Sequence, residues 1–214
     1  MPLRAVIFDI GGVLFPQPDR TAHRRWEAHL GLDDSLLGRT IWTMPISAQA
    51  EIGRASEDDV WAAVADRFQL NPIDRTALRG DFFGGGAWND RLIDYARSPR
   101  TRYKPAILSK AWPNARTSVH DHVNDSLFDH LIFSTEVGLA KPDRSIYELA
   151  LDRLHVRLAE AIFIDDVAEN VEVARAIGLA GIRYENTEQT IMMIEQYLNA
   201  SRLARRRRLA SGTA

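Results

Sequence analysis

Residues 5–15 read AVIFDIGGVLF. Four apolar residues in a row, from Ala5 to Phe8, stop abruptly at Asp9. A short unbroken apolar run, without the alternation of a half-exposed strand, is the pattern of a strand covered on both faces, as in a parallel sheet. The glycines at 11 and 12 let the chain turn sharply and expose backbone carbonyls and amides beside the acid. The same punctuation recurs along the chain. Residues 106–108 stop at Ser109, 131–133 at Ser134 and 161–164 at Asp165, and residues 180–184 make a weaker fifth run.

Helix signals lie between these runs. Asp143 can cap a helix carrying Ile146, Leu149, Ala150 and Leu154 on one face. Val171, Ala174 and Ile177 keep helical spacing up to Gly178, and Asn89 or Asp90 can start a helix through Leu92, Ile93 and Ala96. Strand–helix alternation of this kind predicts an α/β fold built on a doubly wound parallel sheet. In such sheets ligands bind beyond the carboxyl ends of the strands, where Asp9, Ser109 and Asp165 fall.

One interval breaks the alternation. Roughly 90 residues separate the first and second runs, far more than a single crossover helix requires. The interval is rich in helix formers, with Trp26, Leu30, Ile41, Trp42, Val60, Trp61, Val64 and Phe68 as its large apolar residues. Ser56 with Asp59 reads as a capping box. Residues 16–82 are therefore predicted to form an inserted helical cap, with 1–15 and 83–200 as the core. From Ser201 the chain becomes basic, with four consecutive arginines at 205–208, and residues 201–214 read as a solvated, unstructured tail.

Composition excludes several classes. Lys and Arg total 27 against 29 Asp and Glu, a net charge of -2, which argues against nucleic acid or an anionic membrane as a partner. There is no cysteine, so disulfides, thiolate catalysis and cysteine metal sites are all ruled out. No apolar stretch approaches the roughly 20 residues that span a bilayer, and the first residues lack a secretory layout. A cytoplasmic monomer or homodimer is the expectation.

The chemistry-bearing residues are acids at strand ends. Asp9 and the pair Asp165–Asp166 in IFIDDVAEN would repel one another unless a cation or a basic group lay between them. Hard carboxylate oxygens suit Mg²⁺. Lys141, in GLAKPD, brings a positive charge just after the third run, and Ser109 with the amides after it can hold the oxygens of an anion.

FDIGGVL, ILSK, GLAKPD and FIDDVAEN, in that order and spacing, resemble the four motifs of the haloacid dehalogenase-like hydrolase superfamily, in the subgroup with a helical cap after the first motif. The resemblance implies a Rossmann-like core and a Mg²⁺-dependent phosphatase acting on a small phosphorylated metabolite. It implies Asp9 as the nucleophile that accepts the phosphoryl group, and Lys141 as the counter-charge to nucleophile and phosphate. It implies Mg²⁺ held by Asp9, the Gly11 carbonyl and Asp166, with Ser109, Lys110 and Gly12 on the phosphate side. Asp165 would orient Lys141, and Asn170 would lie near the metal. Two positions depart from the pattern. Gly11 stands where most such phosphatases carry a second Asp that protonates the leaving alcohol. Lys110 stands where an Asn is common; it either adds charge for a phosphate or points to solvent, and solvent is the preferred reading. Gly11 keeps two other readings open, a metal-free dehalogenase or a regulatory module that binds phosphate and metal without turnover.

Overall fold

The computed structural model describes residues 2–15, 20–98 and 103–211. Five strands form one sheet: β1 (Ala5–Phe8), β2 (Lys104–Ser109), β3 (His130–Phe133), β4 (Ala161–Asp165) and β5 (Ala180–Arg183), in the order β3-β2-β1-β4-β5. Every pairing is parallel, so all five carboxyl ends lie at one edge. The order reverses on either side of β1, which puts the switch point of the sheet at Asp9.

Alternation along the strands explains the two packed faces. Val6, Phe8, Ile107, Ile162 and Ile164 point to one side, where they meet Leu92, Ile93 and Ala96 of α6 (Asp90–Arg97) and Ile194 and Leu198 of the C-terminal helix. Ala5, Ile7, Ala106, Leu108 and Phe163 point to the other, against Ile146, Tyr147, Ala150 and Leu154 of α9 (Arg144–Leu154) and Ala174 of α10 (Ala168–Ala176). Each fully buried Val, Ile, Leu or Phe side chain contributes about 1.5–3 kcal/mol, so β1 and β4, buried at every position, anchor the site firmly.

The long interval folds as five helices: α1 (Thr21–His29), α2 (Leu36–Thr43), α3 (Pro45–Glu51), α4 (Glu57–Phe68) and α5 (Pro72–Phe82). The expected cap start at Pro16 lies outside the described residues. Ser56 and Asp59 form the capping box of α4, with the Asp59 amide donating to Ser56 Oγ at 3.1 Å and the Ser56 amide donating to Asp59 Oδ2 at 2.9 Å. Asn71 Oδ1 accepts from the Ile73 and Asp74 amides to start α5, with Pro72 in its first turn. These helices bury a core of their own around Trp26, Leu37, Ile41, Val60, Trp61, Val64, Leu78 and Phe82. Trp42, expected in that core, is 40% exposed.

Two short helices follow β2 and β3: α7 (Ala115–Ser118) and α8 (Ser134–Val137). The chain ends on α11 (Thr187–Ser211), which runs through residues 205–208 and corrects the expectation of an unstructured tail from Ser201. Ala, Leu and Arg are strong helix formers, and no Gly or Pro interrupts them before Gly212. Residues 212–214 lie outside the described residues. No described helix is long and apolar enough to cross a membrane.

Candidate active site

The edge carrying the strand ends gathers the acids. Asp9 follows β1, Asp165 ends β4 and Asp166 follows it; a carboxylate oxygen from each lies within 4.8 Å of the others. Among the described residues this is the group of acids and histidines able to share a metal ion. Lys141 enters from the loop between α8 and α9. Its Nζ lies 2.9 Å from Asp9 Oδ2 and 2.6 Å from Asp165 Oδ2, and its side chain is buried.

Asp165 and Asp166 are neighbours in sequence with different surroundings. Asp165 is fully buried and saturated: Oδ1 accepts the Val167 amide at 2.8 Å, and Asn170 Nδ2 donates to Oδ1 and Oδ2 at 3.1 and 3.0 Å. With Lys141 also on Oδ2, its oxygens are committed to protein partners. Asp166 is half-buried, and its carboxylate lies against the backbone of Gly12. Tyr147 OH donates to the main-chain carbonyl of Asn170 at 3.0 Å, tying α9 to α10 at the residue whose side chain steadies Asp165.

Charge is out of balance. Three carboxylates share a single ammonium, two negative charges in excess. Burial pushes the Asp9 carboxyl up to about 6, Lys141 opposes this, and Asp165 adds to it. Burial and Asp165 also raise Asp166. Burial works against the Lys141 ammonium, but Asp9 and Asp165 together outweigh it and hold its pKa above the usual lysine range. Hard oxygen donors with unneutralised negative charge fit a divalent cation such as Mg²⁺. Asp165 is saturated, so the carboxylates that could hold it are Asp166 and Asp9, whose oxygens take one contact each, from the Ile10 amide and from Lys141.

The turn after β1 shows what the glycines do. The Phe15 amide donates to the Ile10 carbonyl at 2.8 Å, and the Gly12 amide donates to the Phe15 carbonyl at 3.0 Å. The sequence places Gly12 among the phosphate-binding residues, but its amide is already used inside this turn. Gly12 has φ +75°, and a Cβ there would overlap the Asp166 carboxylate. Its lack of a side chain makes room for Asp166. At Gly11 φ is ordinary, and a Cβ would meet nothing within 4 Å.

Ser109 ends β2 one strand away from Asp9, buried, and its hydroxyl makes no hydrogen bond with a described residue. Lys110 is exposed, and its Nζ lies 3.4 Å from Glu51 Oε1, at the end of α3. The loop continues with the Ala111 amide donating to Ser134 Oγ at 2.9 Å and with Trp112 buried in the core of the five helices. Trp112 lies 4.6 Å from Trp42 and 5.7 Å from Phe83, centroid to centroid. The sequence carries no local signal for Trp112, because its partners Trp42, Phe82 and Phe83 lie far from it along the chain.

Fold and site together define a class, the α/β proteins whose polar residues converge at the carboxyl edge of a parallel sheet. Comparison gives the family. A family model described as haloacid dehalogenase-like hydrolase matches residues 3–178, and the chain belongs to that family. A sesquiterpene phosphatase of Aspergillus oryzae is 28% identical over 195 residues, covering 90% of this chain and 95% of that protein. Bifunctional epoxide hydrolase 2 of Sus scrofa is 26% identical over 92% of this chain, which spans only 39% of that longer protein. Among solved structures, a family enzyme of Bacteroides thetaiotaomicron in complex with magnesium and inorganic phosphate shares the fold, with TM-score 0.71, 18% identity, and coverage of 86% of this chain and 94% of its own.

Proposed function

We propose that this hydrolase is a Mg²⁺-dependent phosphatase of a small phosphorylated metabolite, with Asp9 as the nucleophile. The observation that carries the reading is the buried Asp9 carboxylate, clamped by Lys141 and facing Asp166 across an excess of negative charge. A phosphate dianion entering such a site needs a cation to offset its charge. Asp9, Asp166 and the Gly11 carbonyl are the groups to hold Mg²⁺, which when bound neutralises charge on nucleophile and phosphate. The phosphatase name of the Aspergillus relative and the magnesium and phosphate of the Bacteroides enzyme support the reading.

The chain's own residues divide the work. An Asp9 oxygen attacks phosphorus in line, the bond to the leaving oxygen breaks, and an aspartyl-phosphate forms. Lys141 holds the carboxylate oriented and stabilises charge building on the phosphoryl oxygens. Ser109 offers its hydroxyl to a phosphate oxygen, and Asp165, itself held by Asn170, keeps Lys141 in place. Water then hydrolyses the acyl phosphate and regenerates Asp9.

The test is phosphate release from p-nitrophenyl phosphate with Mg²⁺ and with EDTA, for wild type and Asp9→Asn. The expected result is metal-dependent release that the substitution abolishes. Equal activity in Asp9→Asn would remove Asp9 from the mechanism, and halide release from a 2-haloacid without metal would replace the phosphatase by a dehalogenase.

A further inference from the structure

The phosphatase reading, on which this inference rests, leaves one proton without a source. Asp9 attacks from the strand tips, so in-line displacement expels the leaving oxygen on the far side of phosphorus, away from the sheet. A poor leaving group, such as an alkyl alkoxide, must be protonated as it departs. Gly11 has no side chain to do this, and Asp9, Asp165 and Lys141 are committed to one another.

The five inserted helices bring one acid down to this place. Glu51, at the end of α3, is buried, and its carboxylate meets Lys110, the residue next to Ser109. Its position is set by contact: at Gly53, φ +71°, a Cβ would overlap the carbonyl of Thr135, which follows β3 by two residues. The end of α3 therefore sits over the tips of β2 and β3. The other buried acids of the described chain are held elsewhere. Glu27 accepts the Leu37 amide at 3.2 Å and pairs with Arg20, and Glu160 is bound by Arg157. Glu51 differs in that its partner, Lys110, adjoins Ser109 and, 45% exposed, can turn towards a phosphate arriving there.

We propose that Glu51 is the general acid of this enzyme, delivering to the leaving oxygen the proton for which Gly11 has no side chain. As substrate binds, Lys110 swings from Glu51 to the phosphate, and Glu51, left buried without a counter-charge, takes up a proton. Burial already raises its pKa against the pull of Lys110. When the phosphorus–oxygen bond breaks, its electron pair stays on the leaving oxygen, which takes the proton from Glu51 and departs as the alcohol. Glu51, now a carboxylate, accepts a proton from the water that attacks the aspartyl-phosphate and is ready for the next turnover.

The experiment compares Mg²⁺-loaded wild type and Glu51→Gln on p-nitrophenyl phosphate, whose phenolate leaves unaided, and on n-butyl phosphate, whose alkoxide does not. The ratio of alkyl to aryl kcat is expected to fall by about 10²-fold or more in Glu51→Gln. Adding Gly11→Asp to that variant, at a position with open space for the side chain, is expected to raise the ratio again. An unchanged ratio, whether both rates hold or both fall together, would overturn the assignment of Glu51 while leaving the phosphatase standing. Wild type that cleaves neither ester would overturn the phosphatase reading, and the general acid with it.

Discussion

Replacing Lys141 by Met tests whether the site is organised by charge. Methionine keeps the length and apolar character of the buried stem and removes the ammonium, which lies 5.5 Å from the centre of the Phe163 ring. That ammonium lies 2.9 Å from one buried carboxylate and 2.6 Å from another. Removing one partner of a buried ion pair costs about 3–5 kcal/mol, because an uncompensated charge remains. For a domain of this size a loss of that order lowers Tm by about 6–20 °C. The dependence on pH has a definite sign. Burial already raises the Asp9 carboxyl to about 6, and losing Lys141 raises it further above the unfolded value of about 3.9, so the penalty is full above the raised pKa and fades as pH falls towards the unfolded one. In EDTA, thermal melts should therefore show a wide deficit relative to wild type at pH 8 and a narrower one at pH 5. Added Mg²⁺ should narrow the deficit at pH 8 by supplying positive charge to the same acids. A deficit below about 1 kcal/mol at pH 8, the worth of an exposed pair, would refute the organising role of Lys141, as would a deficit equal at both pH values.

Two further perturbations read separate parts of the structure. Gly12→Ala forces a Cβ into the Asp166 carboxylate at a positive φ, so it should cost about 1–2 kcal/mol of stability and raise the Mg²⁺ concentration for half-maximal phosphatase activity by at least about tenfold. A magnesium titration with wild-type affinity would show that Asp166 is not a ligand. Glu160→Gln removes a carboxylate that hydrogen bonds to the Arg157 side chain and amide draw down to about 2. A depressed carboxylate stabilises the fold above its unfolded pKa of about 4.3 and loses that effect as pH falls through the folded value. The variant should melt about 2–4 °C below wild type at pH 7, with the gap closing between pH 4 and 2; a gap independent of pH would refute the pairing.

What could be read from the sequence follows from how local the causes are. Strands buried on both faces leave unbroken apolar runs, so β1 to β4 and the polar residues that end them are visible one residue at a time. Caps are equally local: Ser56 with Asp59, Asn89 and Asp143 announce their helices within three residues. The division of labour between Asp165 and Asp166 is not local. It depends on Lys141 arriving from 24 residues away and on Asn170 turning its amide back, contacts that saturate one acid and leave its neighbour open. The reason for Gly12 is equally distant, since the group that needs its space is Asp166.

The same distinction explains why the family was legible and the chemistry at the leaving group was not. Asp9 and the Asp165–Asp166 pair sit at strand ends, strand order carries them to one edge, and Lys141 joins them from the loop between α8 and α9. The groups facing that edge from the other side belong to helices with their own core, and their placement rests on a few long-range contacts: Glu51 on Lys110, Gly53 on Thr135, Trp112 among Trp42, Trp61 and Phe82. Two of these three involve residues 110–112, immediately after Ser109. The five helices are thus packed against the loop that follows Ser109, and a substitution at Trp112 should disturb Ser109 without touching any charged residue of the site.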